Sequence, residues 1–302
     1  MDYKAPVETY TGRVAEVVIG KGSKAVKVGG ESVLPLHTFE GTIPNMPKIA
    51  LQTLDAAPPA SWTQWVLEPY GDAVKDPVAW AKKAAEYGAD LVAITLDSTD
   101  PAGANVSADT AAAVVRKVND AVNVPLIVYG TGDEKKDVEV LVRVAEVCTG
   151  EALLLGPALK ENYEPIGQAA LAHGHNLIAQ TPLDINLLKE LNIKLSKFFP
   201  PNRIVIDPLS SPLGYGLEYS FSLMERTKQT GIIFKDAMTQ MPIIANLALE
   251  TCKTKEAKAN RKQGILWELM AAVSLLLAGA NIIVVQYPDT LKVLKDLMAG
   301  KI

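Results

Sequence analysis

Cysteine and histidine are the scarce residues of this 302-residue sequence, with two of the first and three of the second. Cys148 and Cys252 can form at most one disulfide. They cannot by themselves supply the four thiolates of an iron–sulfur cluster or an all-cysteine zinc site. So few thiols fit a reduced, cytoplasmic setting. A basic excess is also missing: 30 Lys and Arg stand against 34 Asp and Glu, a net charge of −4. That leaves no footprint for tracking phosphates and argues against nucleic acid as a partner. No apolar run reaches the ~20 residues of a membrane span. The nearest candidate, Leu269 to Val285, carries no charge but is broken by Gly279-Ala280-Asn281. It reads as a buried helix ending at Gly279 and then a buried strand. Met1 to Gly12 lacks a basic n-region and an apolar h-region, so it gives no sign of secretion or membrane insertion. It also offers few apolar residues to bury.

Several catalytic signatures are missing as well. There is no Gly-x-Ser-x-Gly elbow, GxGxxG fingerprint or HExxH helix. No predicted strand ends in the lysine that a Schiff-base aldolase requires. The string Gly20-Lys21-Gly22-Ser23 lacks the spacing of a phosphate loop and reads as a hairpin turn.

What the sequence does contain is alternation. Its first part holds short valine-rich pieces, Val14 to Ile19, Ala25 to Val28 and Ser32 to Leu34, separated by glycine turns, the pattern of β-hairpins. After Lys48, apolar strand candidates begin near Ile49, Leu91, Val124, Ala152, Leu177, Arg203, Ile243 and Asn281. Each interval carries a helical pattern, and a βαβ crossover takes about 30 residues. Asp76-Pro77, Ser107 and Asp184 are N-cap signals opening three of these helices. Strands such as LVAITL and RIVID are nearly all apolar, as expected when both faces are covered. The expectation is an α/β fold, a (βα)8 TIM barrel over residues 48–302 preceded by an N-terminal β-hairpin extension over 1–47.

Barrels of this kind place their sites at the C-terminal ends of the strands. Those ends read Gln52 and Asp55, Asp97-Ser98-Thr99-Asp100, Tyr129-Gly130-Thr131, Gly156-Pro157, Gln180-Thr181-Pro182, Asp207-Pro208, Asn246 and Gln286-Tyr287-Pro288. Such a rim is polar and mostly uncharged, better suited to many hydrogen bonds with a large amide-bearing ligand than to a phosphate. Asp97 with Asp100 reads equally as an acid–base pair or as ordinary turn chemistry. His173 and His175, in HGHN, precede the fifth barrel strand, at the end where residues serve stability. His37 is isolated and reads as a hydrogen-bonded structural residue.

Seven motifs then occur in order: LPLHTFEG (34–41), EYGADL (86–91), DSTDPAGAN (97–105), TPLDIN (181–186), IVIDP (204–208), GYGLEYSFSLMER (214–226) and GILWE (264–268). From about Ser32 onward the chain resembles the small, or delta, subunit of the corrinoid iron–sulfur protein. That family serves the reductive acetyl-CoA pathway and the archaeal acetyl-CoA decarbonylase/synthase. The resemblance implies a methyl carrier in the cytoplasm. A larger partner subunit holds the 4Fe–4S cluster, and a corrinoid lies between that partner and the barrel's upper rim. It implies methyl transfer from methyltetrahydrofolate through a separate methyltransferase, and delivery to acetyl-CoA synthase. The cofactor-binding residues expected from this placement are Asp97, Thr99, Asp100, Asn105, Thr131, Thr181 and Asn246. No catalytic residue or metal ligand is expected within the chain. The histidine motif by which some corrinoid proteins ligate cobalt is absent around His37, His173 and His175. Two rival expectations are a stand-alone pteridine-dependent methyltransferase and a barrel that only organises its partner.

Overall fold

Eight parallel strands begin within two residues of the positions marked by the apolar runs. The computed structural model describes residues 6–60 and 62–301. A hairpin of β1 (Glu16–Ile19) and β2 (Val26–Gly29) comes first. The barrel strands are β3 (Lys48–Leu54), β4 (Leu91–Thr95), β5 (Leu126–Tyr129), β6 (Leu154–Ala158), β7 (Asn176–Gln180), β8 (Ile204–Asp207), β9 (Ile244–Asn246) and β10 (Ile282–Val285). Neighbours run β8-β7-β6-β5-β4-β3-β10-β9. The ring closes through a parallel bridge between Ile206 and Ile243, where Ile206 N donates to Pro242 O at 2.8 Å. A helix follows every strand, so the expected barrel is the observed one.

The capping signals act as their chemistry requires. Asp76 accepts from Ala79 N with Pro77 at the first helical position, Ser107 from Thr110 N, and Asp184 from Asn186 N and Leu187 N. Each removes an otherwise unpaired donor at a helix start. The uncharged stretch resolves as foreseen. Helix Arg261–Leu277 is followed by Gly279 at φ +104 and then β10. Among the described residues no helix is long and apolar enough to cross a membrane.

Strand side chains alternate between two cores. Residues such as Ile49, Leu51, Val92 and Ile94 face the helices. Ala50, Leu91, Ala93, Ile127, Leu154, Ile178, Val205, Ile244, Ile282 and Val284 fill the barrel interior. Val17, Ile19 and Val28 of the hairpin join that interior cluster and plug the barrel from below. Gly20 N donates to Ala152 O, and Asn176 Nδ2 to Val18 O, tying the hairpin to the chain entering β6 and β7. The third expected piece, Ser32 to Leu34, is not a strand. Ser32 N reaches Thr42 O, but Pro35 lacks a donor and ends any ladder there.

Candidate functional site

The inward row of each strand continues upward by steps of two residues. Above the apolar interior this parity places Gln52, Thr95, Tyr129, Gly156, Gln180, Asp207, Asn246 and Gln286 around the mouth, a layer of carboxamides and hydroxyls with one carboxylate. Side-chain contacts agree with the parity. Gln52 Nε2 donates to Thr95 Oγ1 at 2.8 Å, and Gln180 Nε2 donates to Asp207 Oδ2 at 2.8 Å. Asp207 is buried, and desolvation pushes its carboxyl up to about 6 despite the bonds from Gln180 and the Leu209 amide. The layer is incompletely satisfied. Gln52 Oε1, the Tyr129 hydroxyl and both amide atoms of Gln286 are buried without a hydrogen-bond partner among the described residues. Native interiors contain few such atoms, and each asks for a water or a ligand.

A second buried carboxyl holds one side of this mouth in place. Glu268, on helix Arg261–Leu277, accepts from Gln286 N and Tyr287 N at 2.6 and 3.1 Å. Desolvation raises its pKa to about 7 against the pull of those two amides. Asp137 does similar work after β5. It accepts from Thr131 N and Gly132 N, and a Cβ on Gly130 would lie 2.2 Å from its Oδ1.

The seven expected residues ring the mouth without gathering at one point. Asp97 and Asn105 are exposed, and Asn105 takes φ +48. Asp100 accepts from Ala102 N, and its carbonyl takes Gly103 N and Asn105 N. Asp100 thus does turn work, while partial desolvation and the nearby Asp100 raise the Asp97 carboxyl. Thr99 faces inward: it is fully buried and its hydroxyl donates to Leu96 O. It therefore shapes the loop from beneath. Thr131 is half-buried over Asp137. Asn246 Oδ1 accepts from Ala248 N at 3.2 Å. Thr181, beside β7, is buried with an unpartnered hydroxyl. Since β4 and β7 are separated by β5 and β6 in the ring, the Asp97–Asn105 loop and the Thr181 loop occupy different sectors of the rim.

The sequence placed Gln52, Gln180, Asp207 and Gln286 at the strand ends but not among the expected cofactor-binding residues. Counting by two from each strand's apolar core would have found them. Ser210, buried and also unpartnered, had no comparable signal. Its place depends on Asp207 Oδ1 accepting from Leu209 N, a turn that holds Leu209 at φ +64.

The histidines stay away from the mouth. His175 is buried beneath the barrel, its Nδ1 accepting from Leu153 N and its Nε2 3.0 Å from Ala145 O. Burial lowers its pKa to about 4. His173 Nδ1 lies 2.9 Å from Thr149 Oγ1. His37 bonds Glu40 and stacks on Phe39. The HGHN segment is a turn-and-packing element, as its position before β7 suggested.

Comparison with known proteins now bears on this geometry. A family model described as CO dehydrogenase/acetyl-CoA synthase delta subunit matches residues 16–299. Acetyl-CoA decarbonylase/synthase complex subunit delta 1 of Methanosarcina thermophila is 34% identical over 316 residues, covering 97% of this chain and 72% of the relative. Subunit delta of Archaeoglobus fulgidus is 35% identical, covering 98% of this chain and 70% of its own length. That of Methanopyrus kandleri is 36% identical, with coverages of 95% and 75%. The chain belongs to this delta-subunit family. Solved structures extend the fold of this family member to dihydropteroate synthases. The Xanthomonas albilineans enzyme with 4-aminobenzoic acid superposes with a TM-score of 0.60 at 15% identity, covering 85% of this chain and 94% of that one. The Vibrio fischeri enzyme gives 0.60 at 15% identity, with coverages of 86% and 95%. At that identity the likeness is one of fold.

Proposed function

We propose that this delta-family chain is the barrel half of a methyl-carrying heterodimer. It holds a corrinoid between its upper rim and a larger subunit that bears the 4Fe–4S cluster. The observation carrying this reading is the mouth itself, a layer of neutral donors and acceptors with buried atoms left unpaired. A corrinoid's edge is set with primary carboxamides, each a donor and an acceptor, and the residues present fit that group. Relatives named as subunits of acetyl-CoA decarbonylase/synthase complexes support work in an assembly. When bound, the corrinoid supplies a cobalt centre that takes up and releases a methyl group, here drawn from methyltetrahydrofolate by a separate methyltransferase and destined for acetyl-CoA synthase.

The chain's own residues hold and shield. Asp97, Asp100, Asn105, Thr131, Thr181 and Asn246 offer polar atoms at the rim, and Thr99 fixes the loop that carries four of these seven positions. The three histidines, engaged elsewhere, leave the mouth free of imidazole. Co-expression with a cluster-bearing subunit, followed by co-purification and cobalt analysis, tests the reading. One cobalt per heterodimer is expected, and a chain that neither co-purifies nor brings cobalt would sink it.

A second reading, pteridine binding by the chain alone, draws on the buried Asp207–Gln180 pair. A carboxylate beside a carboxamide inside a barrel mouth suits the edge of a cyclic amide. Binding of methyltetrahydrofolate by the purified chain, with methylation of free cobalamin, would favour that reading over the first.

A further inference from the structure

The loop after β7, Thr181-Pro182-Leu183-Asp184, separates two recesses of the upper rim. The first, ≈ 370 Å³, has Leu159, Pro182, Leu187 and Leu191 as apolar walls and Thr181 in its lining. The second, ≈ 510 Å³, is bounded by Leu183, Leu209, Pro212 and Tyr215, with Ser210 in its lining. Thr181 in the first is 5% exposed and Ser210 in the second 8%; Thr254, also buried in the second, spends its hydroxyl on Thr251 O. Neither the Thr181 nor the Ser210 hydroxyl has a hydrogen-bond partner among the described residues. The charged groups at the edges balance: Lys160, Glu161, Glu190 and Lys194 border the first recess and Glu250 and Lys253 the second, with Lys160 Nζ 3.8 Å from Glu190 Oε1. Lys194 Nζ lies 2.7 Å from Glu190 Oε1, and Lys253 Nζ lies 2.6 Å from Glu250 Oε1. Each recess thus combines apolar walls, an unspent hydroxyl and no net charge at its edge from these pairs. A carboxylate or ammonium would lose hydration there against an edge that offers no net counter-charge. A primary carboxamide can donate to and accept from a hydroxyl while its methylene stem packs on leucine and proline.

We infer that these two recesses are paired seats for neutral carboxamide arms of one ligand, straddling the Thr181–Asp184 loop. The inference rests on the corrinoid reading above and deepens it: the macrocycle's grip is lopsided, strongest over the β7–β8 sector. Leu209, turned outward at φ +64 by Asp207, forms part of the wall of the second seat. A non-glycine residue in that region is an uncommon conformation, of the kind that clusters at ligand-holding sites.

The test uses the full chain co-purified with its cluster-bearing partner and aquacobalamin as the probe. Thr181→Val and Ser210→Ala remove hydroxyls that have no partner in the unliganded chain. Thermal midpoints should therefore hold or rise, while cobalamin dissociates faster, about five- to tenfold for each loss of a hydrogen bond. Thr181→Ser keeps the hydroxyl and should bind as the unsubstituted chain does. Equal dissociation rates in all four proteins would overturn the inference, leave the two hydroxyls to water and leave the corrinoid reading standing. A Thr181→Ser protein as impaired as Thr181→Val would overturn it too, because shape and not the hydroxyl would then be what matters. If the unsubstituted heterodimer takes up no cobalamin, the corrinoid reading itself fails and this inference with it.

Discussion

Lys228 Nζ lies 2.5 Å from Glu31 Oε1, and both side chains are almost wholly buried. Asn281 completes the group, its Oδ1 accepting from Lys228 and its Nδ2 donating to Glu31. One cation thus joins the segment after the hairpin to helix Leu217–Ile232 and to the turn entering β10. Burial alone would raise the Glu31 carboxyl, but Lys228 and Asn281 outweigh it and hold it below its usual value.

Removing one member of this pair should cost more than removing both. Lys228→Met leaves a buried carboxylate without its partner, a loss of about 3–5 kcal/mol. Lys228→Met with Glu31→Leu should recover most of that, because the unpaired charge is gone. Urea unfolding of the three proteins checks the prediction, and a double variant no better than Lys228→Met would refute it.

His175 should make stability depend on pH in a defined direction. Burial holds the folded ring at about 4, while the unfolded ring titrates near ~6.5. Below ~6.5 the unfolded chain takes up a proton that the folded chain declines. Stability from this group is therefore complete above that pH, declines as pH falls towards about 4, and changes no further below. The whole effect is of order 3 kcal/mol. His175→Gln cannot titrate, so its deficit against the unsubstituted chain should shrink between pH 6.5 and 4. A deficit constant across that window would show that another group sets the dependence.

The beginning of the chain divides between Glu8 and Gly12. Residues 1–5 of the segment expected to bury little lie outside the described residues, and Val7 and Glu8 are exposed. Yet Tyr10 donates to Glu40, and a Cβ on Gly12 would sit 2.3 Å from Ile232 O. The segment with few apolar residues is therefore held from Tyr10 onward. Deleting residues 1–7 should leave the thermal midpoint nearly unchanged. Gly12→Ala should lower it by several degrees, since about 1–3 kcal/mol of strain is typical of overpacking and moves a domain of this size by a few degrees.

The rim loops should respond differently to loss of their supports. Asp137→Ala removes the acceptor for Thr131 N and Gly132 N, at about 1–3 kcal/mol for donors left unpaired. Faster hydrogen exchange at those two amides is the expected signature. Asn105→Gly, at an exposed position whose φ of +48 glycine tolerates, should leave the midpoint in place but shorten corrin retention by the heterodimer. Thr99→Ala should lower both together, because its hydroxyl is spent on Leu96 O. Retention unaffected in both would remove the β4 loop from the site.

Iron content gives a direct check on the division of labour between subunits. Cys148 and Cys252 are both buried, and desolvation pushes each thiol up to about 11, far from the thiolate that binds metal. Anaerobic reconstitution of the isolated chain should yield no stoichiometric cluster. Four irons per chain would overturn that expectation.

Strand positions, helix caps and the count of eight were legible because they are local. Ile49 to Leu51 or Ile282 to Val285 can only be buried strand, and Asp76, Ser107 and Asp184 cap whichever helix begins just after them. The rim was legible too, as soon as the eight strands were aligned, because parallel strands of a barrel end on one face. What each rim residue does there could not be read the same way. Thr99 and Thr181 look alike in sequence, yet one hydroxyl is spent on a carbonyl three residues back and the other is left unpaired. That difference depends on loop conformation, which adjacent residues alone do not set. Ser210 joins the rim because Asp207 turns the chain between them. Glu31 finds Lys228 across 197 residues, and the hairpin finds the underside of the barrel, through closure of the ring. By itself the sequence determined which segments are strand and helix and the order in which they alternate, since propensity and periodicity act over a few residues. Only the tertiary structure decided which polar atoms pair and which remain unpaired for a ligand, since burial belongs to the whole fold.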